Sequence, residues 1–255
     1  MDSITREKIT KVAQMVTRAK KLAVFTGAGV STESGIPDFR SAGGIWSRFD
    51  PDDFTIQRFL TSPQSRRKQW ELLLGDGFFG DCRPNPAHEA IAELERMNRL
   101  SCVITQNIDG LHQKAGNSPG KVFELHGNMK SLRCLTCQVV YPLDLVRPRY
   151  SAGGEPPACE KCGGILKPEV IFFGEALPER ILEGAIQHAR SCDLFLVIGS
   201  SLVVYPAAYL PLYAKESGAC LVIINRDDTP YDHLADLVIN GGAGEVMSGI
   251  IGEVG

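Results

Sequence analysis

Two runs of consecutive apolar residues constrain the fold of this 255-residue chain most strongly. "LFLVIG" (194–199) and "CLVIIN" (220–225) show no alternation of apolar and polar residues, which is typical of parallel strands buried on both faces. Shorter apolar runs lie at 22–26, 102–105, 122–125 and 237–240, and helical apolar patterns lie at 86–98, 178–190 and 206–218. Strands that alternate with helices predict an α/β fold with a doubly wound parallel sheet of the Rossmann type.

Two segments interrupt this alternation. Residues 41–83 are rich in Phe, Trp, Gly, Pro and Asp, and residues 129–168 contain two cysteine pairs and a loose loop, "RPRYSAGGEPPA" (147–158). We interpret them as a helical insertion and a zinc-binding ribbon that together form a smaller lobe. The Rossmann-like domain then comprises residues 1–40, 84–128 and 169–255.

The cysteine pairs "CLTC" and "CEKC" form C-x2-C-x21-C-x2-C, which is typical of a tetrahedral zinc site but slightly longer than usual, and the extra length falls in a Gly/Pro-rich loop that can absorb it. The predicted ligands are Cys134, Cys137, Cys159 and Cys162. Four thiolates leave no coordination position for water or substrate, so the zinc is expected to be structural. Two disulfides are the alternative interpretation. Nucleic-acid binding by the ribbon is another, but its few basic residues lack interleaved aromatic residues, and no direct nucleic-acid binding is expected.

Composition excludes several classes of function. The net charge of −3 gives no global attraction to nucleic acid or membranes, and the sequence has no apolar stretch of about 20 residues that would span a membrane. The first 22 residues carry charges throughout, unlike a signal peptide. Together with eight cysteines, this predicts reduced thiols and a cytoplasmic location. Cys102, Cys192 and Cys220 adjoin apolar runs and are expected to be buried.

The segment "TGAGVSTESGIPDFR" (26–40) begins like a dinucleotide-binding turn and then departs from it. Gly27 and Gly29 fit the first two glycines of G-x-G-x-x-G, but Thr32 occupies the third position. No acidic residue follows a second strand about 20 residues later, where a ribose partner is expected. A hydride-transferring dehydrogenase is therefore disfavoured.

Polar clusters follow several of the predicted strands. "QNIDGLH" (106–112) follows 102–105, "HGN" (126–128) follows 122–125, and "IGSSLVVYP" (198–206) and "INRDD" (224–228) end two more strands. Because ligands of open α/β sheets bind at the carboxyl ends of strands, these clusters predict one cleft shared with the glycine turn. Asp109 as a turn residue and His126 as a structural histidine are the alternatives.

These motifs, with "KPEVIFFGE" (167–175) and the cysteine pairs, occur in the order found in sirtuins. The chain resembles this family of NAD-dependent protein-lysine deacylases from about residue 20 to residue 245, in a compact form typical of bacteria or archaea. The resemblance implies NAD as co-substrate, structural zinc and an acyl-lysine protein or peptide as partner. Mono-ADP-ribosyl transfer in the same cleft and a non-catalytic NAD-sensing module are the alternatives.

The resemblance also implies roles for individual residues. His126 would be the general base, and Asn107 and Asp109 would form the nicotinamide pocket as further catalytic residues. The implied NAD contacts are Gly27, Ala28, Gly29, Thr32, Asp38, Phe39, Arg40, Gln106, Asn107, Ile108, Asp109, His126, Gly199, Ser200, Ser201, Asn225, Arg226, Asp227 and Ala243. The implied peptide contacts are Val170, Phe172, Phe173, Gly174, Glu175 and Val203.

In the implied chemistry, the acyl oxygen attacks the ribose carbon and nicotinamide leaves. His126 then takes a proton from the ribose diol, and the 2′-oxygen attacks the amidate carbon. Water finally releases free lysine and 2′-O-acyl-ADP-ribose. Sirtuins that prefer succinyl-lysine have a Tyr-x-x-Arg pair in the small-lobe helix, and residues 50–80 contain no tyrosine. Acetyl or longer apolar acyl groups are therefore expected, unless Arg66 or Arg67 reaches the pocket.

Overall fold

A computed structural model describes residues 2–74, 82–153 and 155–254. Residues 75–81 of the predicted helical insertion and Gly154 of the predicted loop lie outside the described residues. The strands are β1 (Leu22–Thr26), β2 (Leu100–Thr105), β3 (Val122–Glu124), β4 (Gly127–Cys134), β5 (Val140–Pro142), β6 (Leu166–Val170), β7 (Leu194–Ile198), β8 (Cys220–Asn225) and β9 (Leu237–Asn240). The α-helices are α1 (Ser3–Arg18), α2 (Ile56–Thr61), α3 (Pro63–Leu74), α4 (Pro86–Arg96), α5 (Leu111–Ala115), α6 (Leu143–Gly153), α7 (Glu179–Ser191), α8 (Leu210–Glu216) and α9 (Ala243–Val254). Short 3₁₀ helices lie at Ala28–Ser34, Ile45–Ser47, Pro51–Phe54, Pro119–Lys121, Ala207–Tyr209 and Asp232–Leu234.

The larger sheet has six parallel strands in the order β3-β2-β1-β7-β8-β9. Apolar residues of α1, α4 and α9 pack on one face and those of α7 and α8 on the other. The doubly wound α/β fold predicted from the apolar runs is thus confirmed. Strand order reverses beside β1, between β2 on one side and β7 on the other, which places the ligand-binding crevice of such a sheet at the carboxyl ends of these strands.

Glycines allow the loops after β1 and β7 to cross in contact at this edge. The Gly29 N–H donates to the Gly199 carbonyl over 2.8 Å. A Cβ on Gly29 would lie 2.8 Å from that oxygen, and a Cβ on Gly199 would lie 2.2 Å from the Val30 nitrogen. Gly199 also has a φ of +62°, which strongly favours glycine. The contact between the two loops therefore requires glycine at positions 29 and 199, whether or not a ligand is bound.

The smaller sheet is antiparallel, with the order β5-β4-β6. It shares an apolar core with α2, α3 and α6 that contains Phe59, Trp70, Leu132 and Phe172. Strand β4 begins directly after His126, so the two sheets meet at one of the predicted catalytic residues. The domain bounds predicted from the sequence remain a prediction.

The expectation of a loose loop from residue 147 is wrong in part. Helix α6 continues to Gly153 through an internal proline, Pro148. Leu143, Val146 and Tyr150 lie on one face at helical spacing, and all three are buried in the smaller core. Their burial offsets the hydrogen bond that proline removes from the helix.

The scattered cysteines are only partly as predicted. Cys102 and Cys192 are buried, but Cys220 is exposed. Cys220 is the first residue of β8, and burial of that strand begins at the next residue. None of the helices within the described part of the chain is long and apolar enough to cross a membrane.

Candidate active site

A cavity of about 370 Å³ lies at the carboxyl ends of β1, β2, β7 and β8. The smaller lobe closes its other side through residues 170–175 and α3. The structure brings into its wall most of the residues that the sequence predicted. They are Gly27, Ala28, Gly29, Asp38, Phe39, Arg40, Gln106, Asn107, Ile108, Asp109, His126, Val170, Phe172, Phe173, Gly174, Glu175, Gly199, Ser200, Ser201, Asn225 and Asp227.

Four predicted site residues do not line this cavity: Thr32, Val203, Arg226 and Ala243. The Thr32 hydroxyl donates to the Gly29 carbonyl within its own 3₁₀ turn, over 3.0 Å. Ala243 is buried at the start of α9, while Val203 and Arg226 are exposed on loops. Their assigned contacts remain predictions, and the cavity wall gives them no support.

His126 presents one ring nitrogen as a base. Its Nδ1 lies 2.9 Å from the Gln106 carbonyl oxygen, which can only accept a hydrogen bond. Nδ1 therefore carries the proton, and Nε2 of the neutral ring has the free lone pair. Burial lowers the pKa of His126, and the hydrogen bond to Gln106 opposes this shift. The ring is therefore neutral at pH 7.

Asp109 is held by hydrogen bonds to both carboxylate oxygens. The Leu111 N–H donates to Oδ1 over 2.9 Å, and the Ser31 hydroxyl donates to Oδ2 over 2.8 Å. Burial raises the pKa of Asp109, whereas these two donors oppose the rise. Asn107 uses its Nδ2 on Ser31 Oγ and on the Gly27 carbonyl, at 3.1 Å and 3.2 Å. Its Oδ1 is therefore the atom available to a ligand.

Ser31 was missed by the sequence reasoning, although it links these two residues. Because its hydroxyl proton goes to Asp109, its oxygen accepts from His88 Nε2, 3.4 Å away. The Asn85 N–H donates to the other His88 nitrogen over 3.4 Å, which fits the same tautomer. The available signal was a polar residue inside the glycine turn, which faces the same strand edge as Asp109.

Two buried histidines lie behind this network. Burial lowers the pKa of His88 to about 4 and that of His112 to about 3. His112 Nε2 lies 2.9 Å from the Thr26 hydroxyl, which in turn donates to Thr105 Oγ over 2.8 Å. His112 must then donate to Thr26, and its buried Nδ1 has no partner. His88 and His112 are therefore uncharged at neutral pH, and they support this network from behind without lining the cavity themselves.

The turn 38–41 forms one rim of the cavity. The Asp38 carboxylate accepts from the N–H groups of Arg40 and Ser41, at 3.0 Å and 2.8 Å, so it stabilises its own turn. The Arg40 guanidinium reaches Ser201 Oγ on the opposite side, 3.3 Å away. An exposed cation thus lies between the two loops that the phosphates of a dinucleotide would follow.

An aromatic cluster joins this rim to the predicted peptide site. The Trp46 ring lies 5.2 Å from Phe39, 5.5 Å from Phe54 and 6.0 Å from Phe173, measured between centroids. Sequence reasoning missed Trp46 and Phe54, because only the fold brings the insertion against residue 173. The motifs "KPEVIFFGE" and "IGSSLVVYP" also contribute Ile171, Val204, Tyr205 and Pro206 to the cavity wall. Other cavity residues missed from the sequence are Ile36, Pro37, Ser41, Ile45, Leu72, Leu73 and Leu177.

The four paired cysteines form a separate cluster in the smaller lobe. Their Sγ atoms all lie within 4.8 Å of one another, with Cys134 and Cys162 at 3.5 Å and Cys137 and Cys159 at 3.7 Å. Tetrahedral zinc with Zn–S bonds of about 2.3 Å requires S···S distances of about 3.8 Å, so the residues fit zinc. A Cβ on Gly164 would lie 3.0 Å from Cys134 Sγ, so the glycine leaves room for the thiolate.

Comparisons with known proteins agree with this geometry. The family model described as "Sir2 family" matches residues 27–206. The chain belongs to the Sir2 family. It is 48% identical over 252 residues to "NAD-dependent protein deacylase 2" of Archaeoglobus fulgidus, covering 97% of this chain and 96% of that protein.

Solved structures of Sir2 proteins have the same fold. One from work on the mechanism and regulation of Sir2 enzymes has a TM-score of 0.91 and 46% identity, covering 98% of both chains. Another, of a Sir2 protein bound to a myristoylated histone peptide, has a TM-score of 0.82 and 42% identity. It covers 97% of this chain and 96% of its own. The family resemblance read from the motifs is confirmed.

The zinc site should stabilise the fold. We expect Cys134→Ala to lose zinc and to lower both the melting temperature and the activity, because three ligands hold the metal less well and the smaller core contains this cluster. Metal content by atomic absorption and unfolding by circular dichroism measure this. Cys220→Ala, which removes an exposed thiol outside the cluster, is the matched control and should keep the zinc content, the melting temperature and the activity. A Cys134→Ala protein without zinc but with unchanged stability and rate would contradict a structural role.

The lowered pKa of His126 sets the acid side of the pH profile. We predict that neutral His126 is the base, so activity should be lost as pH falls through a pKa that lies below the ordinary value of about 6.5. Initial rates of kcat/KM between pH 5 and 8 should show an acid limb centred below about pH 6.5. Circular dichroism at each pH controls for unfolding, because protonation of the buried His88 and His112 also lowers stability as pH falls. An acid limb centred above the ordinary value would overturn the assignment.

Proposed function

We propose that this protein is an NAD-dependent protein-lysine deacylase that transfers the acyl group to ADP-ribose and releases nicotinamide. The observation that carries the proposal is the single cavity of a Sir2-family chain in which His126, Asn107 and Asp109 lie together. His126 is a neutral base with a fixed tautomer, and Asp109 and Asn107 are joined through Ser31. The Archaeoglobus relative is named as an NAD-dependent protein deacylase, and another relative was solved with a myristoylated histone peptide bound. Both observations support the same activity.

The NAD contacts that we propose follow the strand ends. The loop at Gly27–Gly29 and the Arg40 guanidinium are placed for the phosphates, and Ser200, Ser201 and Asn225 for the adenosine half. NAD supplies a bond between ribose and nicotinamide whose cleavage leaves an electron-deficient ribose carbon. Asn107 Oδ1 and the Asp109 carboxylate orient the nicotinamide carboxamide through its NH₂ group. Phe39, at the rim, excludes water from the ribose after nicotinamide departs.

His126 would act after nicotinamide departs. Its Nε2 takes a proton from a ribose hydroxyl, and the Gln106 carbonyl stabilises the imidazolium that forms through Nδ1–H. The ribose oxygen that loses this proton would attack the acyl carbon, which the acyl oxygen would by then have joined to the ribose carbon in place of nicotinamide. Water would then release the lysine amine. Because Gln106 also donates from Nε2 to Ser200 Oγ over 2.9 Å, the group that orients the base is itself held by the β7 loop.

The substrate peptide is placed along residues 170–175, with Val203 and its neighbours on the other side. Val170, Phe172 and Phe173 line the cavity there, and Phe173 is itself 43% exposed. Tyr205, which is exposed, also lines the cavity, and exposed Val203 lies two residues before it in the same loop. An extended peptide between them would be bound mainly through its backbone, with little selectivity for sequence.

The acyl pocket extends from this entrance into the smaller lobe and is apolar. Ile45, Phe54 and Leu72 form one buried cluster there, and Ile36 and Leu73 also line the cavity. The Arg66 guanidinium donates to the Phe59 carbonyl over 2.5 Å, and Arg67 pairs with Glu155 at 2.6 Å. Neither arginine lines the cavity. A succinyl carboxylate would therefore be buried without a partner, which is costly.

The zinc cluster is proposed to stabilise the smaller lobe without taking part in the chemistry. The four thiolates would fill the coordination sphere of zinc, and the cluster lies outside the residues that line the cavity. Reduced thiolates at this cluster support the cytoplasmic location that we propose.

The two halves of the reaction should separate by mutation. His126→Ala should reduce deacylation by about 10²–10⁴-fold, the usual contribution of a positioned general base. It should reduce nicotinamide exchange less, because exchange needs only the first step and its reversal. Asp109→Asn should show the opposite bias, since it disturbs the nicotinamide pocket. Deacylated peptide and labelled-nicotinamide exchange are measured side by side for both variants.

The same assays contain the contrary outcomes. Deacylation by His126→Ala near the wild-type rate would make His126 a structural histidine. A wild-type protein that consumes NAD and labels an acceptor with ADP-ribose, but leaves the acyl-lysine peptide intact, would identify a mono-ADP-ribosyltransferase instead.

Acyl preference should follow the shape of the pocket. We expect acetyl-lysine and long apolar acyl-lysine to be turned over faster than succinyl-lysine on one peptide sequence, compared by kcat/KM. Leu72→Trp should fill the buried pocket and lower the ratio of long-chain to acetyl turnover. Leu60→Trp, at an exposed position on α2, should leave that ratio unchanged. The acyl pocket is wrongly placed if succinyl-lysine is preferred, or if both variants change the ratio equally.

A further inference from the structure

Lys167 is the one lysine that is buried among the described residues, with 8% of its surface exposed. Its ammonium donates to the Val170 carbonyl over 2.7 Å, to the Pro168 carbonyl over 3.2 Å and pairs with a Glu175 oxygen at 3.0 Å. All three donors are thus used within the segment 167–175. The ammonium also lies 4.5 Å from the centre of the Phe172 ring, within range of a cation–π interaction.

Glu175 also binds the backbone of the segment 167–175. Its Oε2 accepts from the Phe172 N–H over 2.7 Å, and its own N–H donates to the Phe172 carbonyl over 3.0 Å. Gly174, with a φ of +85°, allows the chain to turn back between them. Glu175 Oε2 therefore binds both the buried Lys167 ammonium and the backbone N–H of Phe172.

The segment held in this way is the side of the cavity that we assign to the peptide. Val170, Phe172 and Glu175 all line the cavity. Phe173 is fixed on its other side, because its N–H and carbonyl pair with the Phe54 carbonyl and the Ile56 N–H at 3.2 Å and 2.9 Å. The ion pair and these bonds together leave this wall little freedom to move.

Stability alone does not account for the pair. Removing two charges from water costs several kcal/mol per ion, and well-packed apolar residues of similar volume often stabilise as well or better. Burial lowers the pKa of Lys167, which is the direct sign of that cost, while Glu175 opposes the shift. An apolar residue at position 167 would not make the directional bonds that Lys167 makes to two carbonyl oxygens and one carboxylate.

We propose that Lys167 and Glu175 are positioning residues for the acyl-lysine substrate, and that their ion pair fixes residues 170–175 in the conformation that receives the peptide. This inference rests on the proposed placement of the peptide. It assigns Glu175 a different role from the direct peptide contact expected from the sequence, because its carboxylate is engaged by Lys167 and Phe172.

The experiment compares Lys167→Met, Lys167→Arg and Glu175→Gln with Glu169→Gln. Glu169 lies on the same strand but pairs with Arg133 outside the cavity, so Glu169→Gln removes a neighbouring, more exposed ion pair. Calorimetry measures the Kd of each variant for an acetyl-lysine peptide and, separately, for ADP-ribose, which binds the other end of the cavity. Steady-state kinetics give kcat and the KM for the peptide.

Lys167→Met should raise the peptide Kd and KM by about tenfold or more, because a wall that is no longer held must be ordered when the peptide binds. Its Kd for ADP-ribose should change by less than about twofold, because the β1 and β7 loops are untouched. Lys167→Arg keeps the charge and should restore part of the peptide affinity. Glu169→Gln should resemble wild type in both affinities.

Three results would overturn the inference. The first is equal peptide affinity for Lys167→Met and Glu169→Gln. The second is an equal loss of peptide and ADP-ribose affinity in Lys167→Met, which means general loss of structure. The third is unchanged peptide affinity in Glu175→Gln. This variant keeps an acceptor for the Phe172 N–H but removes the charge, so it decides the question if Lys167→Met does not fold. A wild-type protein that binds the peptide but releases no acyl group defeats the proposed function and leaves this inference intact.

Discussion

The contact between the loops after β1 and β7 is the constraint on which the rest of the site depends. Gly29 and Gly199 pack backbone against backbone, and neither position has room for a side chain. This contact closes the floor of the cavity at the point where strand order reverses. Because the loop after β1 is held there, Ser31 lies beside Asp109, and the nicotinamide pocket that we propose includes two residues 78 positions apart.

The same edge of the sheet connects the two lobes. Gln106, directly after β2, accepts from His126 and donates to Ser200, so one residue orients the base and ties it to the β7 loop. His126 lies immediately before β4, the central strand of the smaller sheet. The His126 carbonyl then accepts from the Ile171 N–H over 2.9 Å, which brings the peptide wall to the base. The proposed base and the proposed peptide site are thus joined through the backbone at His126.

The sequence predicted those features that depend on local pattern or on spacing. Continuous apolar runs predicted the parallel strands, cysteine spacing predicted the metal cluster, and polar residues after strands predicted part of the cavity wall. The resemblance to sirtuins supplied the other predicted residues of that wall. Sequence reasoning failed where only tertiary contact decides. Burial of Val146 and Tyr150 carries α6 past Pro148, and Trp46 becomes a cavity residue only when residue 173 meets it. Ser31 gave no signal beyond its place in the glycine turn, since its partner lies on another strand.

The positions of the two tryptophans have a consequence for following this protein in solution. Trp46 lies in the cavity wall against Phe39, and Trp70 is fully buried in the core around the metal cluster. Neither packs on the six-stranded sheet. Intrinsic tryptophan fluorescence therefore reports most directly on ligand entry and on melting of the smaller lobe. Far-ultraviolet circular dichroism is dominated by the larger sheet and its helices, so two unfolding curves that do not coincide would reveal the lobes separating in stability.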